Sequence, residues 1–129
     1  MAKKPRILVV DDEEGIRESL RLILEDHYEV EFAEDGQAAY ARLAREQFDL
    51  ALLDIKMPKL DGLQVMKRLK EMKTAIPPIL ILTAYQCVEV AKEAVKLGAT
   101  DYLPKPFERD ELLKAVRDAL HEATTKSQR

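Results

Sequence analysis

Residues 48–58 read FDLALLDIKMP, and this stretch decides the fold. The run LALL at 50–53 shows no alternation of polar and apolar residues, which is typical of a strand buried on both faces. A buried helix segment is the alternative, but the run is short and the Met-Pro pair at 57–58 would end it, because a residue before proline avoids helical dihedrals. We therefore predict a buried strand that carries the carboxylate of Asp54 at its carboxyl end.

Length and charge limit the class of protein. At 129 residues the chain is long enough for one domain with a substantial core, and we predict a domain over 1–123 followed by a polar tail over 124–129. The net charge of −3 gives no indication of a broad surface for nucleic acid. No apolar run approaches the ~20 residues of a membrane-spanning helix, and the basic start lacks the hydrophobic stretch of a signal peptide. A cytoplasmic protein is therefore expected.

Four more short apolar runs predict strands, and each is followed by apolar residues at helical spacing. These strands are expected at residues 6–10, 30–33, 79–82 and 101–103. Asp61 with Gln64 is typical of a helix start and Gly98 of a helix end, whereas the polar residues from His121 onward are expected to fray. The helix that ends at Gly98 is predicted from the spacing of Val88, Ala91, Ala94, Val95 and Leu97.

Five strands that alternate with five helices indicate an α/β fold with a doubly wound parallel sheet, because parallel neighbours need a crossover connection. The runs at 6–10, 50–53 and 79–82 are the most apolar, so we expect them at the centre. This favours the flavodoxin-like strand order 2-1-3-4-5 over the dinucleotide-binding order of longer chains. The first and third strands then flank the switch point, where ligands bind beyond the carboxyl ends.

Polar side chains follow these strands at the same edge of the predicted sheet. Asp11 and Asp12 follow the first strand, Asp54 the third, Thr83 ends the fourth and Lys105 follows the fifth. Neighbouring carboxylates repel each other unless a cation intervenes. Oxygen ligands without His or Cys suit Mg²⁺ or Mn²⁺, and Mg²⁺ commonly completes its shell with a substrate phosphate. The set therefore predicts a metal site that handles a phosphoryl group.

The same residues suit covalent phosphoryl chemistry. An ionised Asp54 needs no general base to act as a nucleophile, and aspartyl phosphates are recognised intermediates. Lys105, Thr83 and the metal are then available to stabilise charge on the phosphoryl oxygens.

Four separated motifs in this order resemble the receiver domain of two-component response regulators, of the CheY-like superfamily, over residues 7 to about 120. They are VVDDE at 9–13, LLDIKMPKLDG at 52–62, ILTAY at 81–85 and GATDYLPKPF at 98–107. By this resemblance, Asp54 is the phosphoacceptor, Asp12 a direct metal ligand and Asp11 an acid that helps to hold the metal shell. The backbone carbonyl of Lys56 is implied as a further metal ligand.

The resemblance also implies how the phosphoryl group is sensed. Thr83 corresponds to the switch hydroxyl, Lys105 to the lysine that pairs with the phosphoryl group, and Tyr102 to the aromatic residue that changes rotamer on activation. In the family the bond between Lys105 and Pro106 is usually cis.

Partners follow from the resemblance as well. A histidine kinase or a histidine phosphotransfer protein is the implied donor, and the face of the fourth helix, fifth strand and fifth helix is the implied output surface. A monomer or a phosphorylation-dependent dimer is expected, without direct nucleic-acid or membrane binding by this domain. The chain is expected to be a phosphoacceptor with self-catalysed phosphorylation and slow autodephosphorylation rather than an enzyme. A stand-alone phosphorelay protein and the receiver of a longer transcriptional regulator both stay open.

Two positions modify this expectation. Many relatives carry Gly where this chain has Lys59, so the loop after Pro58 is expected to turn less sharply. Lys56 and Tyr85 lie two residues beyond the acceptor and the switch threonine, where family side chains influence attack of water on the phosphoryl group. A bulky Tyr85 is expected to shield it.

Two other classes of protein share parts of this pattern. A metal-dependent phosphohydrolase with an aspartyl nucleophile commonly has a second acid two residues on, but Lys56 occupies that position. A flavin-binding module of the same topology would need a phosphate-cradling loop after the first strand, where the acidic run at 11–14 would repel a phosphate.

Overall fold

The computed structural model describes residues 4–72 and 75–127, with side chains to residue 122, and contains five strands and five helices in alternation. The strands are β1 (Arg6–Val10), β2 (Glu29–Ala33), β3 (Leu50–Leu53), β4 (Ile79–Thr83) and β5 (Asp101–Pro104). The helices are α1 (Glu14–Leu24), α2 (Gly36–Arg45), α3 (Gly62–Glu71), α4 (Val88–Lys96) and α5 (Arg109–Ser127). All strand pairs are parallel in the order β2-β1-β3-β4-β5, so the predicted topology is confirmed.

The central strands have no polar alternation because helices cover both faces of the sheet. All four residues of β3 and all five of β4 are buried. Toward α2, α3 and α4 the three central strands present Leu8, Val10, Ala51, Leu53, Ile79 and Ile81. Toward α1 and α5 they present Ile7, Val9, Leu50, Leu52, Leu80 and Leu82. Two separate apolar layers therefore stabilise the sheet. Burial of apolar surface contributes roughly 25 cal/mol of folding free energy per Å² removed from water.

The predicted helix boundaries at Asp61 and Gly98 are confirmed. Asp61 and Gln64 form a capping box, in which each side chain accepts a hydrogen bond from the backbone N–H of the other, at 2.9 and 3.0 Å. Gly98 has a φ of 105°, and the N–H of Ala99 donates to the carbonyl of Ala94 at 2.9 Å. This left-handed cap ends α4 and turns the chain into β5.

The structure shows which side of α4 is buried, and it corrects the expected fraying of the chain from His121 onward. Val88 and Val95 of α4 are 65% and 62% exposed, and Ala94 is the fully buried residue of this helix. Because two neighbouring stripes of α4 are apolar, the sequence did not distinguish the stripe that faces the sheet. The backbone of α5 continues as a helix to Ser127, past His121, since the polar residues at its end remain compatible with helical backbone. The domain boundary at residue 123 stays a prediction.

Charged side chains close the amino edge of the sheet. Arg6 and Arg42 each pair with both Glu31 and Glu46, and both guanidinium groups lie over the ring of Phe48, at 4.3 and 5.3 Å from its centroid. The network joins β1, β2, α2 and the segment before β3. The bonds from Arg42 and Arg6 lower the pKa of Glu46 to about 2.

We expect this network to make stability depend on pH in acid. The folded-state pKa of Glu46 lies below its ordinary value of 4.5, so its contribution is present above about pH 4.5 and is lost as the pH falls toward 2. Glu46→Gln should therefore lower the free energy of unfolding more at pH 7 than at pH 3, measured by urea denaturation. Glu71→Gln, at an exposed position on α3, is the control and should show no such difference. An equal loss at both pH values for Glu46→Gln would contradict the assignment.

Among the residues that the structure describes, no helix combines the length and apolar character needed to cross a membrane.

Candidate functional site

The carboxylates predicted from the strand ends lie together. Val10 and Leu53 are in register on adjacent strands, and the N–H of Asp54 donates to the carbonyl of Val10 at 3.1 Å, so the residues that follow the two strands are neighbours. Carboxylate oxygens of Asp11, Asp12 and Asp54 lie within 4.8 Å of one another. Asp11 and Asp54 are buried, whereas Asp12 is exposed. The acidic pocket, Asp11, Asp12 and Asp54, is therefore open on the side of Asp12.

Lys105 joins the two buried carboxylates. Its backbone N–H donates to the carbonyl of Thr83 at 2.9 Å, and its bond to Pro106 is cis, as the family resemblance implies. Its ammonium lies 2.5 Å from Oδ2 of Asp11 and 3.3 Å from Oδ2 of Asp54. The other oxygens of these acids accept backbone N–H groups, Asp11 from Glu13 at 2.9 Å and Asp54 from Ile55 at 2.7 Å.

Burial and charge act against each other in this pocket. Burial raises the pKa of Asp11 above its ordinary value, against the lowering effect of the bond from Lys105. Burial lowers the pKa of Lys105, but the carboxylates of Asp11 and Asp54 raise it by more. The lysine is therefore held charged, and it supplies the counter-charge that two buried carboxylates require.

Thr83 and Tyr102 meet at one residue that the sequence did not identify as their common partner. Oγ1 of the buried Thr83 accepts the backbone N–H of Tyr85 at 3.1 Å. The hydroxyl of Tyr102 donates to the backbone carbonyl of the same residue, Tyr85. Burial raises the pKa of the Tyr102 hydroxyl, which favours its role as a donor. Both predicted switch side chains therefore hold the peptide groups of Tyr85.

Lys56 and Tyr85 also contact each other through their side chains. The ammonium of Lys56 lies over the ring of Tyr85, 4.3 Å from the centroid, so the two residues join the β3–α3 loop to the β4–α4 loop. The spacing of the motifs indicated that both residues lie near the acceptor, but only the folded loops place the cation over the ring. This contact is called the Lys56–Tyr85 pair below.

The loop after Pro58 corrects one expectation. Lys59 adopts a φ of 70°, and the N–H of Leu60 donates to the carbonyl of Pro58 at 2.8 Å, so the chain turns sharply without a glycine. Leu60 is buried, and the ammonium of Lys59 lies 3.4 Å from Asp35 at the start of α2. These tertiary contacts hold a conformation that Lys rarely adopts.

The donor set of the acidic pocket fits a hard divalent cation. Three carboxylates offer oxygen atoms within 4.8 Å of one another, and Mg²⁺ and Mn²⁺ prefer oxygen ligands in this kind of site. The carboxylate of Asp12 makes no hydrogen bond or ion pair with any residue that the structure describes, so it is available as a ligand. Oδ2 of Asp11 is occupied by Lys105, so direct use of that oxygen requires the ammonium to move.

The fold and the pocket define a class of protein: small α/β domains with an acidic, lysine-bridged site at the switch point of a five-stranded parallel sheet. Residues 7–117 match the family model of the response regulator receiver domain. The chain therefore belongs to the response regulator receiver family, whose members are phosphoacceptor signalling domains of two-component systems, and the resemblance found in the sequence is confirmed.

Individual relatives agree with this assignment. The chain is 45% identical over 120 residues to the response regulator MprA of Mycolicibacterium vanbaalenii, covering 92% of this chain and 52% of that protein. It thus spans about half the length of the curated relatives it matches. A CheY-like receiver domain protein from Methanospirillum hungatei superposes with a TM-score of 0.89 at 31% identity, covering 96% of this chain and 99% of that one. Chemotaxis protein CheY4 of Vibrio cholerae gives a TM-score of 0.82 at 34% identity, covering 91% and 99%.

Proposed function

We propose that this receiver domain accepts a phosphoryl group on Asp54 and acts as a phosphorylation-controlled switch in the cytoplasm. The observation that supports this most directly is the ammonium of Lys105, which lies between two buried carboxylates beside a third, exposed one. A stable structural ion pair needs only one acid for each lysine. Extra, repelling carboxylates at a strand edge are instead expected where a cation and an anionic substrate are brought together.

Each residue of the pocket has a proposed task. A carboxylate oxygen of Asp54 attacks the phosphorus of the donor, a new O–P bond forms and the bond from phosphorus to the leaving group breaks. Asp11, Asp12, Asp54 and the backbone carbonyl of Lys56 would hold Mg²⁺ or Mn²⁺, which neutralises charge on the phosphoryl oxygens when bound. Lys105 moves from Asp11 toward the transferred group and stabilises its charge.

The donor is proposed to be a phosphohistidine of a histidine kinase or of a histidine phosphotransfer protein. The added charge draws the hydroxyl of Thr83 from the N–H of Tyr85 toward the phosphoryl group, and this shifts the balance between two arrangements of the β4–α4 loop. Tyr102 senses the shift through the carbonyl of Tyr85. The output surface is the face of α4, β5 and α5, and α4 carries the exposed Val88 and Val95.

The experiment that tests this function uses the purified protein and acetyl phosphate as donor. Intact-mass spectrometry with Mg²⁺ should show a gain of one phosphoryl group, and the gain should be absent when EDTA replaces Mg²⁺. Hydroxylamine should remove the group, as expected for an acyl phosphate. Continuous release of phosphate from a phosphomonoester would instead favour the phosphohydrolase, and a Mg²⁺-independent gain would contradict the metal site.

The Lys56–Tyr85 pair is expected to lengthen the life of the phosphorylated state by shielding it from water. A cation over an aromatic ring at a partly exposed position contributes about 0.5–1 kcal/mol, so removing the ring should raise the open population and the decay rate roughly two- to fivefold. Tyr85→Ala is the test, followed by the loss of phosphoryl mass over time after the donor is removed. Tyr40→Ala, on α2, is the control ring. An unchanged half-life in Tyr85→Ala would show that the ring does not shield the site.

A further inference from the structure

The β3–α3 loop, residues 55–61, is closed at its base by a short bond. The N–H of Gly62 donates to the carbonyl of Ile55 at 2.8 Å, so the two ends of the loop meet. A Cβ at Gly62 would lie 2.3 Å from the carbonyl oxygen of Asp54, far inside an ordinary contact. Both ends of the loop therefore lie next to the backbone of Asp54, the proposed phosphoacceptor.

The tip of the same loop is held against the start of α2. Leu60 is 5% exposed and belongs to the apolar layer that also contains Ala39 and Leu43 of α2. A Cβ at Gly36 would lie 1.7 Å from the carbonyl oxygen of Leu60, so these two residues are in closer contact than any side chain at position 36 would allow.

The turn between these contacts is under strain. The positive φ of Lys59 is unfavourable for a residue with a Cβ, and such conformations persist where the surrounding structure holds them. Asp35 contributes to this, because its side chain caps α2 through Ala38 at 2.8 Å and lies 3.4 Å from the ammonium of Lys59. The residue that caps α2 therefore also contacts the strained turn of the loop.

From these contacts we infer that Gly36 and Leu60 are positioning residues for the metal site. The inference rests on the proposed function, in which the Lys56 carbonyl of this loop binds the metal. The contact between Gly36 and Leu60 holds that loop in its binding conformation, so metal binding does not have to order it. Gly36 itself lies outside the acidic pocket and acts only through Leu60. A substitution at position 36, at the start of α2, is therefore expected to change the affinity of the site for the metal.

Two pairs of variants test the inference, with Mn²⁺ as the probe and electron paramagnetic resonance of the free ion as the readout. Gly36→Ala inserts a methyl group against Leu60, and Gly15→Ala makes the same change where nothing lies within 4 Å. Leu60→Ala removes the buried side chain that holds the loop, and Leu112→Ala removes another buried leucine on the opposite face of the sheet. Circular dichroism establishes that each variant is folded at the temperature of the titration.

Gly36→Ala and Leu60→Ala should each raise the dissociation constant for Mn²⁺ about tenfold, the size of effect seen when residues behind metal ligands are changed. Gly15→Ala and Leu112→Ala should leave it unchanged, although Leu112→Ala loses stability. If Gly36→Ala does not fold, the comparison of Leu60→Ala with Leu112→Ala tests the inference. Parent-like affinity in the folded loop variants, or an equal loss in Leu112→Ala, would overturn the inference. Absence of Mn²⁺ binding by the parent would instead overturn the proposed metal site, and with it this inference.

Discussion

Asp54→Asn is expected to abolish the Mg²⁺-dependent gain of phosphoryl mass from acetyl phosphate. The amide has almost the shape of the carboxylate. Its oxygen can still accept the hydrogen bond from the N–H of Ile55, which Oδ1 of Asp54 accepts at 2.7 Å in the parent. It lacks the anionic oxygen that would attack phosphorus, and it weakens the acidic pocket as a metal site. Phosphorylation should therefore be lost while the protein stays folded.

The control for this substitution is Asp101→Asn. Asp101 is an exposed carboxylate at the amino end of β5, the opposite end of the sheet from the acidic pocket, and its side chain accepts the N–H of Tyr102. This variant should gain phosphoryl mass like the parent. Phosphorylation that persists in Asp54→Asn at the parent's rate would move the acceptor to another residue.

Lys105→Met is expected to change two measurements in opposite directions. Loss of a positioned cation from the transferring group should slow phosphorylation by about 10²-fold or more, the effect seen when one stabilising donor is removed from an active site. Mn²⁺ affinity should rise about tenfold, because the ammonium 2.5 Å from Asp11 no longer competes for that carboxylate. Two unit charges 4 Å apart interact by about 4 kcal/mol at an effective dielectric constant of 20, so the expected gain is a modest part of that energy.

The same variant should depend on divalent ions for stability. Without the lysine, the buried Asp11 and Asp54 lack their counter-charge, so the free energy of unfolding measured in EDTA should be lower than that of the parent. Addition of Mg²⁺ should then increase the free energy of unfolding of this variant by more than it increases that of the parent. Lys92→Met, at an exposed position on α4, removes the same charge far from the pocket and is the control. Weaker Mn²⁺ binding in Lys105→Met than in the parent would show that the lysine does not compete with the ion.

The sequence predicted the sheet and the acidic pocket because both depend on strand ends. Unbroken apolar runs predicted the central strands, and the predicted strand order placed Asp11, Asp12 and Asp54 at one edge of the sheet, where the structure has them. Contacts between loops could not be predicted in the same way. The cation of Lys56 over the ring of Tyr85 depends on how two loops fold over the pocket, and no periodic pattern records it.

One question that the sequence left open, at α4, and one wrong expectation, at Lys59, have the same physical origin. The stripes of α4 that include Val88 and Ala94 are both apolar, so composition alone did not show which of them faces the sheet. At Lys59, the lack of a glycine suggested a gentler turn, but burial of Leu60 and the contact with Asp35 hold the left-handed backbone. In both places tertiary packing outweighed the local preference of the sequence.

Tyr85 takes part in two kinds of contact, one through its backbone and one through its ring. The side chains of Thr83 and Tyr102 form hydrogen bonds to main-chain atoms of this residue, whereas its ring contacts Lys56. A change of side chain at position 85 therefore leaves the main-chain groups for the two hydroxyl hydrogen bonds in place and removes the contact with Lys56. Under the proposed function, the lifetime of the phosphorylated state depends on a replaceable side chain and the relay depends on the backbone, so related receivers can differ in how long a signal lasts while they keep one relay.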